Sequence, residues 1–155
     1  MSNEIDFLKE SLRFNQEYKE SLDHKASFVL GIASVVLVLS LNNIEKPGFL
    51  LVATGALLSS VFSIWVISFP FRKTHKGKFS ILCAWGFEDL TEEEYNQRLN
   101  KVLQDEAQVV ATYKQEIYAL SEYSIKIKLR FIKLASFTLT IGLIVGFAAI
   151  IIGRL

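Results

Sequence analysis

Residues 47–71 read PGFLLVATGALLSSVFSIWVISFPF, and no position among these 25 is charged. A bilayer-spanning helix needs ~20 mostly apolar residues, because the hydrocarbon core is ~30 Å thick. No water there can satisfy backbone N–H and C=O groups, so the run must be helical. Two more uncharged runs flank it, Ala26–Ile44 over 19 positions and Leu134–Gly153 over 20. The first is no signal peptide: it begins only at residue 26, behind a charged stretch, and a second span follows at once. A chain of 155 residues with mean hydropathy +0.33 is too short to bury three such runs in a soluble core. The fold class is therefore all-α: an integral membrane protein with three transmembrane helices and a long cytoplasmic helical extension.

Lys and Arg placement orients the spans, although the net charge is only +1. Lys9, Arg13, Lys19 and Lys25 precede the first run, and Lys46 alone separates it from the second. Arg72, Lys73, Lys76 and Lys78 follow the second run, and Lys126, Lys128, Arg130 and Lys133 precede the third. Only Arg154 follows the third. The N-terminal helix 1–25 and the middle segment 72–133 are thus expected in the cytoplasm. The Asn42–Lys46 turn and the C-terminus are expected outside.

Residues 3–25 place Ile5, Leu8, Leu12 and Leu22, with Phe7 and Tyr18, near one helical face. With no helix breaker before the span, a single helix should run into the membrane near Asp23–Lys25. It reads as an amphipathic stalk on a neighbouring element or as a surface anchor; its acidic residues oppose binding to anionic lipid. Thr91-Glu92-Glu93-Glu94 is a capping box, with Leu90 and Tyr95 at the staple positions. From Glu92 no Pro or Gly occurs before Gly142, and Leu99, Leu103, Ala107, Val110, Tyr113, Ile117 and Leu120 step by three or four. That predicts one long helix with an apolar stripe, reaching ~55 Å by Lys128, with Ser121–Ser124 as the place for a kink. Such a stripe needs the N-terminal helix, or another subunit, to cover it.

Small residues four apart, Gly142 and Gly146 on one helix and Gly55, Ser59 and Ser63 on another, allow close helix approach. At least one such face is expected between subunits, giving a homo-oligomer. No charge lies deep in a span, which opposes a proton-coupled transporter or an acidic-ring cation channel. A pore lined by hydroxyls is still open: Ser59 and Ser63 share a face, as do Ser136 and Thr140. Cys83 is the only cysteine and His24 and His75 the only histidines, so neither a disulfide nor zinc spacing exists. No phosphate loop or nucleophile elbow occurs, so no cofactor and no enzyme activity are expected. Nor is a nucleic-acid polymer expected as a partner.

Four segments carry a family signal. Residues 22–31 read LDHKASFVLG at the mouth of the first span, residues 90–95 read LTEEEY, and residues 116–120 read EIYAL. The basic Lys126–Lys133 run then leads into the last span. Over residues 15–150 this resembles the transmembrane effectors of Pycsar anti-phage systems, with His24 where the family more usually has Lys. The resemblance implies an effector of the bacterial inner membrane. In such systems a cyclase makes a cyclic pyrimidine mononucleotide, and the resemblance implies that this effector binds cyclic UMP or cyclic CMP and impairs the membrane before the phage matures. A non-gated accessory subunit and a constitutive small pore are the alternatives.

An anionic cyclic nucleotide needs a cation for its phosphate and a flat apolar surface for its base. Candidate ligand residues are Arg72, Lys73, Lys76 and Trp85, and, nearer the last span, Tyr118, Lys126 and Arg130. Aromatic residues beside Lys and Arg are also ordinary membrane-interface composition, so both readings of 72–90 stand. Asp23, Lys25 and Ser27 mark the mouth of the first span. Asp23 and Lys25 are expected to pair with the Lys126–Lys133 stretch or with Arg72–Lys73, or else simply to snorkel. Gly55, Ser59, Gly142 and Gly146 are the helix-packing candidates.

Overall fold

The computed structural model describes residues 2–68, 81 and 90–153. Its described elements are helices, and no strand occurs among the described residues. Helix α1 runs Ser2–Leu41 and α2 runs Pro47–Ser68. Then come α3 at Glu92–Leu103, α4 at Glu106–Ala119, a π-helical turn at Leu120–Ile125, and α5 at Lys126–Ile152. Three stretches are long and apolar enough to cross a membrane: Asn3–Leu41, Gly48–Ser68 and Glu106–Ile152. The chain divides into two compact units. One takes residues up to Glu20 together with 90–127; the other takes 21–68 and 128–153.

The membrane unit is a three-helix assembly with α2 as its most enclosed member. A turn stitched by Asn43 N–H to Ser40 O (3.1 Å) and Lys46 N–H to Asn43 O (3.1 Å) joins α1 to α2. Pro47 opens α2 where its missing N–H costs nothing. The inward faces are built from small side chains. Ala33, Ala56 and Leu139 form the core, with Val36, Leu37 and Leu143 packed around it. Leu22, Ala26 and Ala135 are also buried. Outward, Phe28, Val35, Leu39, Val61, Phe137 and Ile144 stay exposed. Water would make such a surface unfavourable by about 25 cal/mol per Å²; a bilayer removes that penalty.

The glycines set how closely α2 and α5 approach. A Cβ on Gly55 would lie 2.7 Å from the Gly142 Cα and 2.9 Å from the Thr138 carbonyl oxygen. A Cβ on Gly146 would strike Val52 Cγ2 and come within 2.8 Å of the Gly48 carbonyl oxygen. Only hydrogen at these four positions permits backbone-to-backbone contact. The Gly142/Gly146 face, expected as a surface between subunits, is therefore occupied within the chain.

In the other unit the Thr91 box forms. The Thr91 N–H donates to Glu94 Oε2 (3.0 Å) and the Glu94 N–H to Thr91 Oγ1 (3.3 Å). The continuous helix expected from Glu92 is instead two. It ends at Leu103, and Asp105 caps a fresh start by accepting from the Ala107 N–H (2.9 Å). Asp competes for backbone N–H groups and so favours caps over helix interiors. The break removes Leu103 and Ala107 from the stripe; both are exposed. The N-terminal segment of α1 joins this unit through a Lys114–Glu4 ion pair at 3.0 Å. Leu8 is buried while Phe7 faces outward.

Candidate functional site

The mouth of the first span is built around Asp23. Lys128, the third residue of α5, forms an ion pair with it through Lys128 Nζ and Asp23 Oδ1. The Lys128 side chain is 4% exposed and the Asp23 side chain 35%. The lysine is thus enclosed in protein while the carboxylate keeps contact with the outside. Taking an ammonium from water costs several kcal/mol, and only a close carboxylate offsets it. Neighbouring residues fit this geometry. Leu22 and Ala26 are buried beside Asp23, and a small residue at 26 lets the helices close up. The Ser27 hydroxyl donates to the Asp23 carbonyl at 2.9 Å, which places it on the helix's own backbone rather than on the pair. Lys25 is exposed and lines a shallow cleft of about 430 Å³ with His24, Phe28 and Ser136.

Of the candidate ligand residues, Arg72, Lys73, Lys76 and Trp85 lie outside the described residues. Tyr118 is exposed on α4, and its ring meets the Tyr123 ring edge-on at 6.3 Å and 90°. Lys126 reaches Glu122 at 2.6 Å, with both side chains partly exposed. Such a helix-surface pair is worth only ~0.3–0.5 kcal/mol, so an incoming anion can displace Glu122. Arg130, in the membrane unit, is exposed in a groove with Lys133, Leu134 and Phe137. Gly55, Gly142 and Gly146 meet as described above, and Ser59 is fully buried on α2.

Two features here lie beyond the sequence reading, and a third falls where that reading places a kink, at Ser121–Ser124. Glu116 is buried on α4. The six residues Leu120–Ile125 adopt a π-helix, a wider turn that recurs at functional sites. Ser124, within that turn, is fully buried, and its hydroxyl has no hydrogen-bond partner among the described residues. A Ser-rich stretch in a helix is the one local signal for the turn. Nothing local marks Glu116.

Three apolar helices closed on a small-residue interior, with an ion pair at one mouth and a separate helical unit, define a multi-span membrane protein. The comparison with protein families makes this specific. Residues 7–153 match the Pycsar effector protein domain, PycTM, and the chain belongs to that family. No curated protein and no solved structure matches the chain. It is accordingly a membrane protein of anti-phage defence, acting as an effector at a lipid bilayer, and the family is not a known enzyme family.

Proposed function

We propose that this effector is switched by a cyclic pyrimidine mononucleotide, cyclic UMP or cyclic CMP, and then impairs the bacterial inner membrane so that the infected cell stops before phage matures. The observation that carries the reading is the extent of the family match: residues 7–153 take in the non-membrane helices as well as all three spans. A domain whose sole task was to cross a membrane would not need the Thr91-capped helices. In this reading the nucleotide binds the non-membrane unit. Tyr118 offers an exposed ring and Lys126 a displaceable cation, with Arg72, Lys73, Lys76 and Trp85 as further contacts; Arg130, in the membrane unit, is a separate candidate. The cytoplasmic parts are 1–25 and 72–133, and the spans are 26–44, 47–71 and 134–153. The Lys and Arg distribution supports a cytoplasmic N-terminus and a periplasmic C-terminus. Self-association belongs to the same reading, because three close-packed helices are too few to enclose an aqueous path alone.

The test is dye release from vesicles of phosphatidylethanolamine and phosphatidylglycerol carrying the purified protein. Release should begin only on addition of cyclic UMP or cyclic CMP. Equal release with and without both nucleotides would overturn gating in favour of a constitutive pore. No release under any condition, with a stable hetero-complex recovered from cells, would favour the accessory subunit.

A further inference from the structure

Helical Ser and Thr in hydrocarbon satisfy their hydroxyls on the carbonyl four residues back. In this chain Ser27, Ser34, Ser40, Thr54, Ser60, Thr138 and Thr140 all do so. Ser59 and Ser63 do not. Both are fully buried, and neither hydroxyl has a partner among the described residues. Each such group costs ~1–3 kcal/mol, whereas Ala at either position would cost nothing of the kind.

Their placement is ordered. Ser59 and Ser63 follow Gly55 at steps of four, so they extend the ridge of α2 that meets α5. Phe62 and Trp65, on either side of Ser63, pack on the Phe131 ring with centroids 6.2 and 5.6 Å away. Phe131 lies three residues from Lys128. The buried face of α2 thus presents Ser63 and then Ser59 about one helical turn apart (~5.4 Å), with the Asp23–Lys128 pair beyond the Phe131 end. The outer faces carry Val35, Leu39, Val61, Ile64, Phe137 and Ile144. The unit thus carries a few polar groups within an otherwise small and apolar interior, and is apolar around it.

We infer that this interior face lines the path by which water and small ions cross the membrane once the effector is switched on. The three helices part along it, and copies of the chain turn it towards a shared aqueous lumen. Opening solvates two hydroxyls that the closed state leaves without partners, so part of the drive to open is built into the face. Asp23 and Lys128 cancel in charge, so the path discriminates little between cations and anions. This rests on the proposed nucleotide-switched permeabilisation, and the experiment separates the two.

The full chain carrying Cys83→Ser is given single cysteines by Ser59→Cys, Ser63→Cys or Val61→Cys. Each protein is placed in phosphatidylethanolamine–phosphatidylglycerol vesicles with a charged, membrane-impermeant thiol reagent. On adding whichever of cyclic UMP and cyclic CMP releases dye, labelling at 59 and 63 should rise about tenfold, equivalent to about 1.4 kcal/mol in the opening equilibrium. Labelling at the outward-facing position 61 should not rise. Dye release with 59 and 63 still unlabelled would overturn this inference and leave gating intact. Absence of release with both nucleotides would overturn the gating reading and this inference with it. Ser63→Ala guards against a misfolded cysteine variant. It removes the penalty from the closed state alone, so half-maximal release should need about tenfold more nucleotide. An unchanged requirement would also overturn the inference.

Discussion

Asp23→Asn and Lys128→Met should differ sharply in their effect on stability, although they break the same ion pair. The reason is the unequal burial of the partners, 4% for the Lys128 side chain against 35% for that of Asp23. Asp23→Asn takes the Asp23 carboxylate away from the enclosed ammonium. Removing one member of a buried pair costs about 3–5 kcal/mol, and the partial exposure of Asp23 points to the low end, about 3 kcal/mol. Lys128→Met removes the enclosed charge and keeps a side chain of similar length. The carboxylate left behind is a third exposed and can hydrate, so the cost should stay below about 1 kcal/mol, the range of solvent-exposed pairs. The double variant should resemble Lys128→Met, giving a coupling of about 3 kcal/mol between the sites, the whole of the Asp23→Asn loss. Denaturant unfolding in mild detergent, followed by circular dichroism or by Trp65 fluorescence, reads all three. Equal losses from the two single substitutions, or a larger loss from Lys128→Met, would refute the asymmetry argument.

Gly142→Leu and Gly146→Leu should destabilise the folded chain itself by at least about 1–3 kcal/mol, because the new side chain meets backbone. Gly31→Ala, whose Cβ would meet nothing within 4 Å, should instead gain up to about 1 kcal/mol; the same unfolding assay distinguishes them. The Thr91 N–H and hydroxyl hold the Glu94 carboxyl below its ordinary value of 4.5, so the box stabilises α3 above that pH and loses this as pH falls through the lowered value. An acid titration of the Glu94 and Thr91 amide resonances should show this, and Thr91→Ala, which removes the hydroxyl but keeps the backbone N–H, should reduce it. Asp105→Ala should lower stability by about 1 kcal/mol through loss of the α4 cap, read as a shift in denaturant midpoint. A periplasm-only reporter fused after Leu155 should be active; activity only of a cytoplasmic reporter would overturn the orientation.

The three spans were legible because the absence of charge over 19 to 25 positions is a local signal that nothing distant can reverse. The Thr91 box was legible for the same reason, since all its atoms lie within four residues. The break at Asp105 was not. An apolar count stepping by three and four ran straight across it, and no Gly or Pro marked the spot. Pairing for Asp23 could be narrowed to a short basic stretch. Choosing Lys128 within it needs the register between helices a hundred residues apart. The glycines showed that some helix would come close, but not which one. That depends on α2 and α5 facing each other, a tertiary fact.

The contact between Gly55 and Gly142 also sets a timetable for biosynthesis. About 75 residues separate the end of α2 from Gly142, and translation at 5–20 residues per second takes about 4–15 s to cover them. Throughout that interval α2 is already made, yet its closest neighbour is still in the ribosome or not yet polymerised. The serine-bearing side of α2 then has only α1 for shelter from lipid. A nascent chain at this stage is the natural target of insertases and quality-control proteases. A pause or truncation before codon 142 would strand a two-helix fragment with that side uncovered. Faithful completion of the last span is therefore as much a safeguard for the host cell as any property of the finished protein.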